Sequence, residues 1–166
     1  MTAIVVIVGG SNSGKTTLIE KMIPVFIHQG YRVGTIKHVM HDMSLDQKGK
    51  DSWRHARAGA EAVMVDADER VVLFKSVAGP NSVQGRLRRY VAAYFSDMDF
   101  VLAEGYKNEH LPKIEIYRQN PHTRPVCLED EHLAAVVSDA QIHTHVPCFG
   151  LEDVALLVKF IVQMNS

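Results

Sequence analysis

The stretch that most limits how this chain can fold is "IVVIVGGSNSGKTTLIEKM", residues 4–22. Ala3 to Val8 is a continuous β-branched run, the pattern of a strand buried on both faces in a parallel sheet. It passes through Gly9-x-x-x-x-Gly14-Lys15-Thr16 into a segment with helical spacing. This is the full phosphate-loop (Walker A) pattern, set between a strand and a helix as its mechanism requires. The glycines let the backbone turn tightly around an anion. Gly10, Ser11, Asn12, Ser13, Gly14, Lys15, Thr16 and Thr17 form the expected cradle. Amides from about Asn12 to Thr17 face inward, and the helix N-terminus adds partial positive charge. Lys15 is expected to bridge β- and γ-phosphates, and the Thr16 hydroxyl to ligate Mg²⁺. An ordinary glycine-rich strand–helix turn has no need of Lys followed by Thr.

Strands and helices alternate along the rest of the chain. Residues 15–29 carry Leu18, Ile19, Met22, Ile23 and Phe26 on one side of a helix, with Pro24 expected to kink or interrupt it and Gly30 to stop it. "RVGTIKHV" is a second strand. "DSWRHARAGA" is a short helix with Asp51 or Ser52 near its N-cap and Gly59 at its end. "EAVMVDA" and "RVVLFKS" flank the polar turn Asp66–Glu69 as a hairpin. Residues 83–96 form an amphipathic helix. "DFVLAEG" is a buried strand, with Asp99 at the end away from the loop, and "KIEIYR" alternates like an edge strand. "LAAVVSD", a short "VPCFG" strand and a helix over 152–164 close the chain. The expectation is one P-loop domain over 1–166: a three-layer α/β fold with a mostly parallel sheet and an extra β-hairpin.

Composition removes several classes. With 46% apolar and 22% charged residues and a net charge of −1, nothing indicates broad nucleic-acid or anionic-membrane binding. Arg86, Arg88 and Arg89 fall in a predicted helix and read as a solvated face. Cys127 and Cys148 have no zinc or disulfide spacing, so reduced thiols in the cytoplasm are expected. No apolar run approaches the ~18 residues of a membrane span.

A phosphate loop needs an acid at the end of a neighbouring strand to hold Mg²⁺ or its water. Glu104 follows "FVLA" directly and suits that role, and the Gly105 N–H could approach a γ-phosphate. The segment from His38 to Lys50 is polar, without period and long enough to suspect function. His41 and Asp42 in it fall short of a zinc signature. Asp51 either contacts Mg²⁺ as a switch-type carboxylate or caps its helix. Lys37 either offsets phosphate charge or lies at the rim. Asp139, after "AAVVS", either accepts guanine N1 and N2 hydrogen bonds or shapes a strand-end turn.

The stretches "VGGSNSGKTTL", "VGTIKH", "GKDSWRHARAGA", "DFVLAEGYK" and "PKIEIYR", in this order from Ile4 to about Asp139, resemble the MobB-type molybdopterin-guanine dinucleotide biosynthesis adapter family. "TIKH" followed by "GKDS…AGA" and "EGYK…PKIE" is far more specific than the phosphate loop alone. The resemblance implies a P-loop fold that binds GTP with Mg²⁺ and hydrolyses it weakly at most. It implies a homodimer that assists the guanylyltransferase attaching GMP to molybdopterin, with other molybdenum cofactor enzymes as further partners. Carried over, the cradle is Gly9–Thr17, the Mg²⁺-side acid Glu104 and the switch-like carboxylate Asp51. Met43 stands where that family carries a bulky aromatic residue. The apolar content of the hairpin "EAVMVDADERVVLFKS" is a separate motive for pairing between copies.

A small-molecule P-loop kinase is the alternative. It would need an acceptor site and an Arg-rich lid, and no clear second-substrate pocket or catalytic base is visible in the sequence. A third class, a structural protein whose loop holds only sulfate or phosphate, would show no GTP affinity.

Overall fold

The structure, a computed structural model, describes residues 2–39, 47–77, 85–120, 122 and 124–165. In chain order the elements are β1 (Ala3–Val8), α1 (Lys15–His28), β2 (Val33–Lys37), α2 (Asp51–Arg57), β3 (Ala62–Ala67) and β4 (Arg70–Lys75). They continue as α3 (Arg86–Tyr94), β5 (Phe100–Glu104), β6 (Lys113–Tyr117), β7 (Leu133–Ser138), β8 (Cys148–Phe149) and α4 (Val154–Met164). Two compact units result. One holds β1 to β2 and everything from α3 onward; the other holds α2 and the β3–β4 hairpin.

The first unit is a six-stranded sheet in the order β2-β5-β1-β6-β7-β8, with every pairing parallel. β1 lies in the interior and is apolar throughout because each face packs against helices. Val5 and Ile7 meet Leu18, Met22 and Phe26 of α1 and Leu157 and Ile161 of α4. Val6 and Val8 meet Leu87 and Val91 of α3 on the other face. This is the three-layer α/β arrangement. Phe26 and Met22 are wholly buried, and each such side chain contributes roughly 1.5–3 kcal/mol. α1 runs unbroken through Pro24, against the expected interruption. Pro24 and Glu20 face solvent, so water can satisfy the Glu20 carbonyl that proline leaves without a donor.

β6 departs most from expectation. It lies between β1 and β7, so it is an interior strand and the edge reading of "KIEIYR" is corrected. Its polar residues are buried and satisfied internally. Lys113, 1% exposed, donates to the Glu109 carbonyl at 2.6 Å and pairs with Asp130 at 3.0 Å. Glu115 accepts the N–H groups of Val126 and Cys127. Burial pushes the Glu115 carboxyl above its ordinary range, against the pull of those two donors. Asp130, despite the desolvation that pushes it up, is held below the usual range by the His132 N–H and by Lys113. The Cys127 thiol beside them is pushed up to about 11, by burial first and then by the Glu115 and Asp130 charges.

The second unit is a hairpin with α2 packed on β3. Lys50 is the N-cap of α2 and Asp51 its first helical residue, with no side-chain cap. The capping alternative for Asp51 is therefore corrected. Its carboxylate instead faces Arg54 at 3.4 Å, a partner within reach one turn along. Gly59 ends the helix at φ 106°, as expected of its position. Among the described residues, no helix is long and apolar enough to cross a membrane.

Candidate phosphate site

In a parallel sheet all carboxyl ends share one edge, and this edge collects the expected site residues of the first unit. The loop from Gly9 leaves β1 there. Asn12 takes φ 59° and Gly14, the N-cap of α1, takes φ 101°. α1 begins with no side-chain cap and no acid in its first turn. The N–H groups of Lys15, Thr16 and Thr17 therefore have no intrahelical acceptor, and a macrodipole worth about +0.5 charge ends there. Gly9 is required by space: a Cβ on it would stand 2.3 Å from the Ile116 carbonyl oxygen and 2.7 Å from Ser13 Oγ. The Ser13 hydroxyl is buried without a hydrogen-bond partner. Gly10 and Ser11 form the outer turn, where the Gly10 carbonyl accepts from the Ser13 N–H at 3.3 Å.

The Lys15 ammonium folds over its own loop, donating to the Gly9 carbonyl at 3.1 Å and the Gly10 carbonyl at 2.7 Å. That holds a positive charge above the uncapped amides. Strand register places the neighbouring acid: Glu104 is the partner of Ile7 in β1 and of Lys37 in β2. Its Oε2 accepts the Thr16 hydroxyl at 3.1 Å, and its Oε1 lies 3.1 Å from Lys37 Nζ. Thr16, Glu104 and Lys37, far apart in sequence, thus form one connected row. Lys37 reaches the edge, but its charge is met by Glu104. The Gly105 N–H donates to the Ile7 carbonyl at 3.1 Å, which ties the turn after β5 to β1.

A hydroxyl and a carboxylate oxygen side by side are hard donors of the kind Mg²⁺ takes, so Thr16 and Glu104 fit that ion. Asp51 belongs to the second unit. His41, Asp42 and Met43 lie outside the described residues. Among the described residues, no group of three or more His, Cys, Asp or Glu is arranged to hold a metal. Asp139 follows β7, and its Oδ1 accepts the Gln119 N–H at 2.8 Å, clasping the chain after β6. The sequence missed the part β6 plays. Ile116 forms the wall against Gly9, and Arg118 stands beside Gly14. The signal was the proximity of "KIEIYR" to the other motifs, masked by its alternating polarity.

This arrangement meets known proteins at the level of sequence and fold. The family model described as Molybdopterin guanine dinucleotide synthesis protein B matches residues 4–139. A Haemophilus influenzae molybdopterin-guanine dinucleotide biosynthesis adapter protein is 38% identical over 157 residues, covering 93% of this chain and 85% of the relative. The adapter protein of Escherichia coli K12 is 35% identical over 156 residues, covering 92% and 87%. The crystal structure of a molybdopterin-guanine biosynthesis protein B superposes with a TM-score of 0.72 at 28% identity, covering 97% of each chain. That of Bacillus subtilis MobB superposes at 0.73 with 26% identity, covering 97% of this chain and 96% of the other.

Proposed function

We propose, since the chain belongs to the molybdopterin guanine dinucleotide synthesis protein B family, that its phosphate loop binds GTP with Mg²⁺ in the service of that synthesis. The protein is an adapter of molybdopterin-guanine dinucleotide biosynthesis. Its partner in this reading is the guanylyltransferase that joins GMP to molybdopterin. The observation that carries the GTP reading is the loop itself: an uncapped helix N-terminus under the Lys15 ammonium, with the Thr16 hydroxyl held by Glu104 at 3.1 Å.

The residues divide the work. The amides of the first turn of α1 hold phosphate oxygens, and Lys15 exchanges its loop carbonyls for them. Thr16 and Glu104 hold Mg²⁺, which supplies positive charge to the phosphate chain when bound. Lys37 pairs with Glu104 at 3.1 Å and holds it turned toward Thr16.

Calorimetric titration of GTP, GDP and ATP with and without Mg²⁺ tests this. GTP is expected to bind more tightly with Mg²⁺ than without it and more tightly than ATP. Glu104→Gln is expected to remove most of the Mg²⁺ enhancement, with about a 10-fold loss of affinity, as for one charged hydrogen-bonded partner. Wild-type protein that shows no GTP affinity returns the loop to a plain phosphate binder.

We further propose that the chain pairs with a second copy. On the hairpin, Met64 is 62% and Val71 59% exposed. A two-stranded ribbon with apolar faces and open edges is marginal alone. Sedimentation is expected to give the mass of two chains, and a heavier complex when the guanylyltransferase is added. A single-chain mass at micromolar concentration overturns the pairing, and no heavier complex overturns the partner.

A further inference from the structure

The sheet order reverses between β1 and β6: β5 and β2 lie to one side of β1, and β6, β7 and β8 to the other. In open parallel sheets the ligand crevice forms at that reversal, beyond the carboxyl ends of the strands. The phosphate loop leaves β1 at this point. Arg118 follows Tyr117, the last residue of β6, at the same point. Ile116 and Arg118 are two residues apart and so share a face. That face meets the loop. Where a Cβ on Gly14 would lie, Ile116 Cδ1 is 3.4 Å away and Arg118 Nε 4.0 Å.

Gly14 is the N-cap of α1, so a guanidinium stands beside the positive end of a helix. No carboxylate among the described residues forms an ion pair with it. A guanidinium and a helix N-terminus side by side favour an anion that bridges them on this flank. The opposite flank differs, because Lys37 there is met by Glu104 at 3.1 Å. The chain after Arg118 is also fastened. The Gln119 N–H donates to Asp139 Oδ1 at 2.8 Å, one step beyond the Tyr117–Ser138 pairing of β6 with β7.

We propose that Arg118 is a nucleotide-contacting residue that donates to phosphate oxygens of GTP from the β6 side. Asp139 is a positioning residue that acts through Gln119 and Arg118 and does not read the base. The proposal rests on the GTP reading of the loop. The planar fork of a guanidinium donates to two phosphate oxygens at once, which the single ammonium of a lysine cannot reproduce.

The test is titration of GTP, GDP and ATP, each with Mg²⁺, into wild type, Arg118→Ala, Arg118→Lys, Asp139→Ala and the double alanine variant. Arg118→Ala is expected to weaken GTP and GDP alike, by about 10- to 100-fold, the span for a hydrogen bond to a charged group. Arg118→Lys is expected to recover part of that loss. The melting temperature of Arg118→Ala is expected to match wild type, since the side chain is exposed and has no ion pair among the described residues. Asp139→Ala is expected to weaken GTP less, to add nothing in the Arg118→Ala background, and to leave the GTP-to-ATP ratio unchanged. Wild-type affinity in Arg118→Ala overturns the Arg118 assignment. Additive losses, or a collapsed GTP-to-ATP ratio in Asp139→Ala, overturn the positioning role. Absence of GTP binding by wild type overturns the GTP reading and this proposal together, and the wild-type arm tells that failure apart from failure of Arg118 alone.

Discussion

Gly9→Ala is expected to abolish GTP binding and to lower the melting temperature by about 6–12 °C, from a destabilisation of about 3 kcal/mol in a chain of this size. Gly9 takes φ 146°, a region L residues rarely occupy. The added methyl carbon would also stand 2.3 Å from the Ile116 carbonyl oxygen. That oxygen belongs to β6, an interior strand that cannot move without disturbing β1 and β7 on either side. The loop must shift instead, which carries the Gly14–Thr17 amides away from their common focus. Gly10→Ala is the matched control. A Cβ there meets nothing within 4 Å, so the melting temperature is expected to stay within about 3 °C of wild type, the scale of a neutral surface change. Thermal melts of the two variants, with GTP titrations alongside, make the comparison. Equal melting temperatures for Gly9→Ala and wild type would show that the loop does not lie against β6.

The parts of this structure legible in the sequence are those where one physical demand acts on adjacent residues. The apolar run of β1 records burial on both faces, and the Gly9–Thr16 spacing records a tight turn from strand to helix. The run "FVLAE" placed Glu104 at a strand end, and the parallel register then set it beside Lys37 and within reach of Thr16. The hairpin was legible because two apolar runs flank the polar turn 66–69.

What the sequence concealed lies where polar residues are satisfied by distant groups. Lys113 and Glu115 in β6 look like a solvent face, because nothing local shows that Glu109, Asp130, Val126 and Cys127 will supply their partners. That misreading moved β6 to an edge and so hid Arg118 from the site. Asp139 shows the reverse problem. Its place at a strand end was legible, but its hydrogen bond to Gln119 depends on β7 pairing with β6, a contact no local pattern encodes.

Lys15→Ala is expected to reduce GTP affinity at least 100-fold, about 3 kcal/mol, while leaving the fold intact. The ammonium now donates to two loop carbonyls, at 3.1 and 2.7 Å, so its position over the cradle is set before any ligand arrives. The lysine therefore loses little freedom on binding, and it exchanges its two carbonyl contacts for stronger ones to charged phosphate oxygens. Removing it takes away the one full charge within the loop and leaves only the partial charge of the helix end. Stability responds differently, because Lys15 opens a helix and alanine is the best helix former. The two lost carbonyl contacts are partly exposed and open to water, so the melting temperature is expected to stay within about 3 °C of wild type. Binding loss without unfolding is thus the signature of Lys15, and binding loss with unfolding that of Gly9. Both variants act on the same loop, one by charge and the other by shape, so calorimetry and a thermal melt on the pair separate the two contributions. A Lys15→Ala chain that binds GTP as wild type does would place the triphosphate somewhere other than this loop.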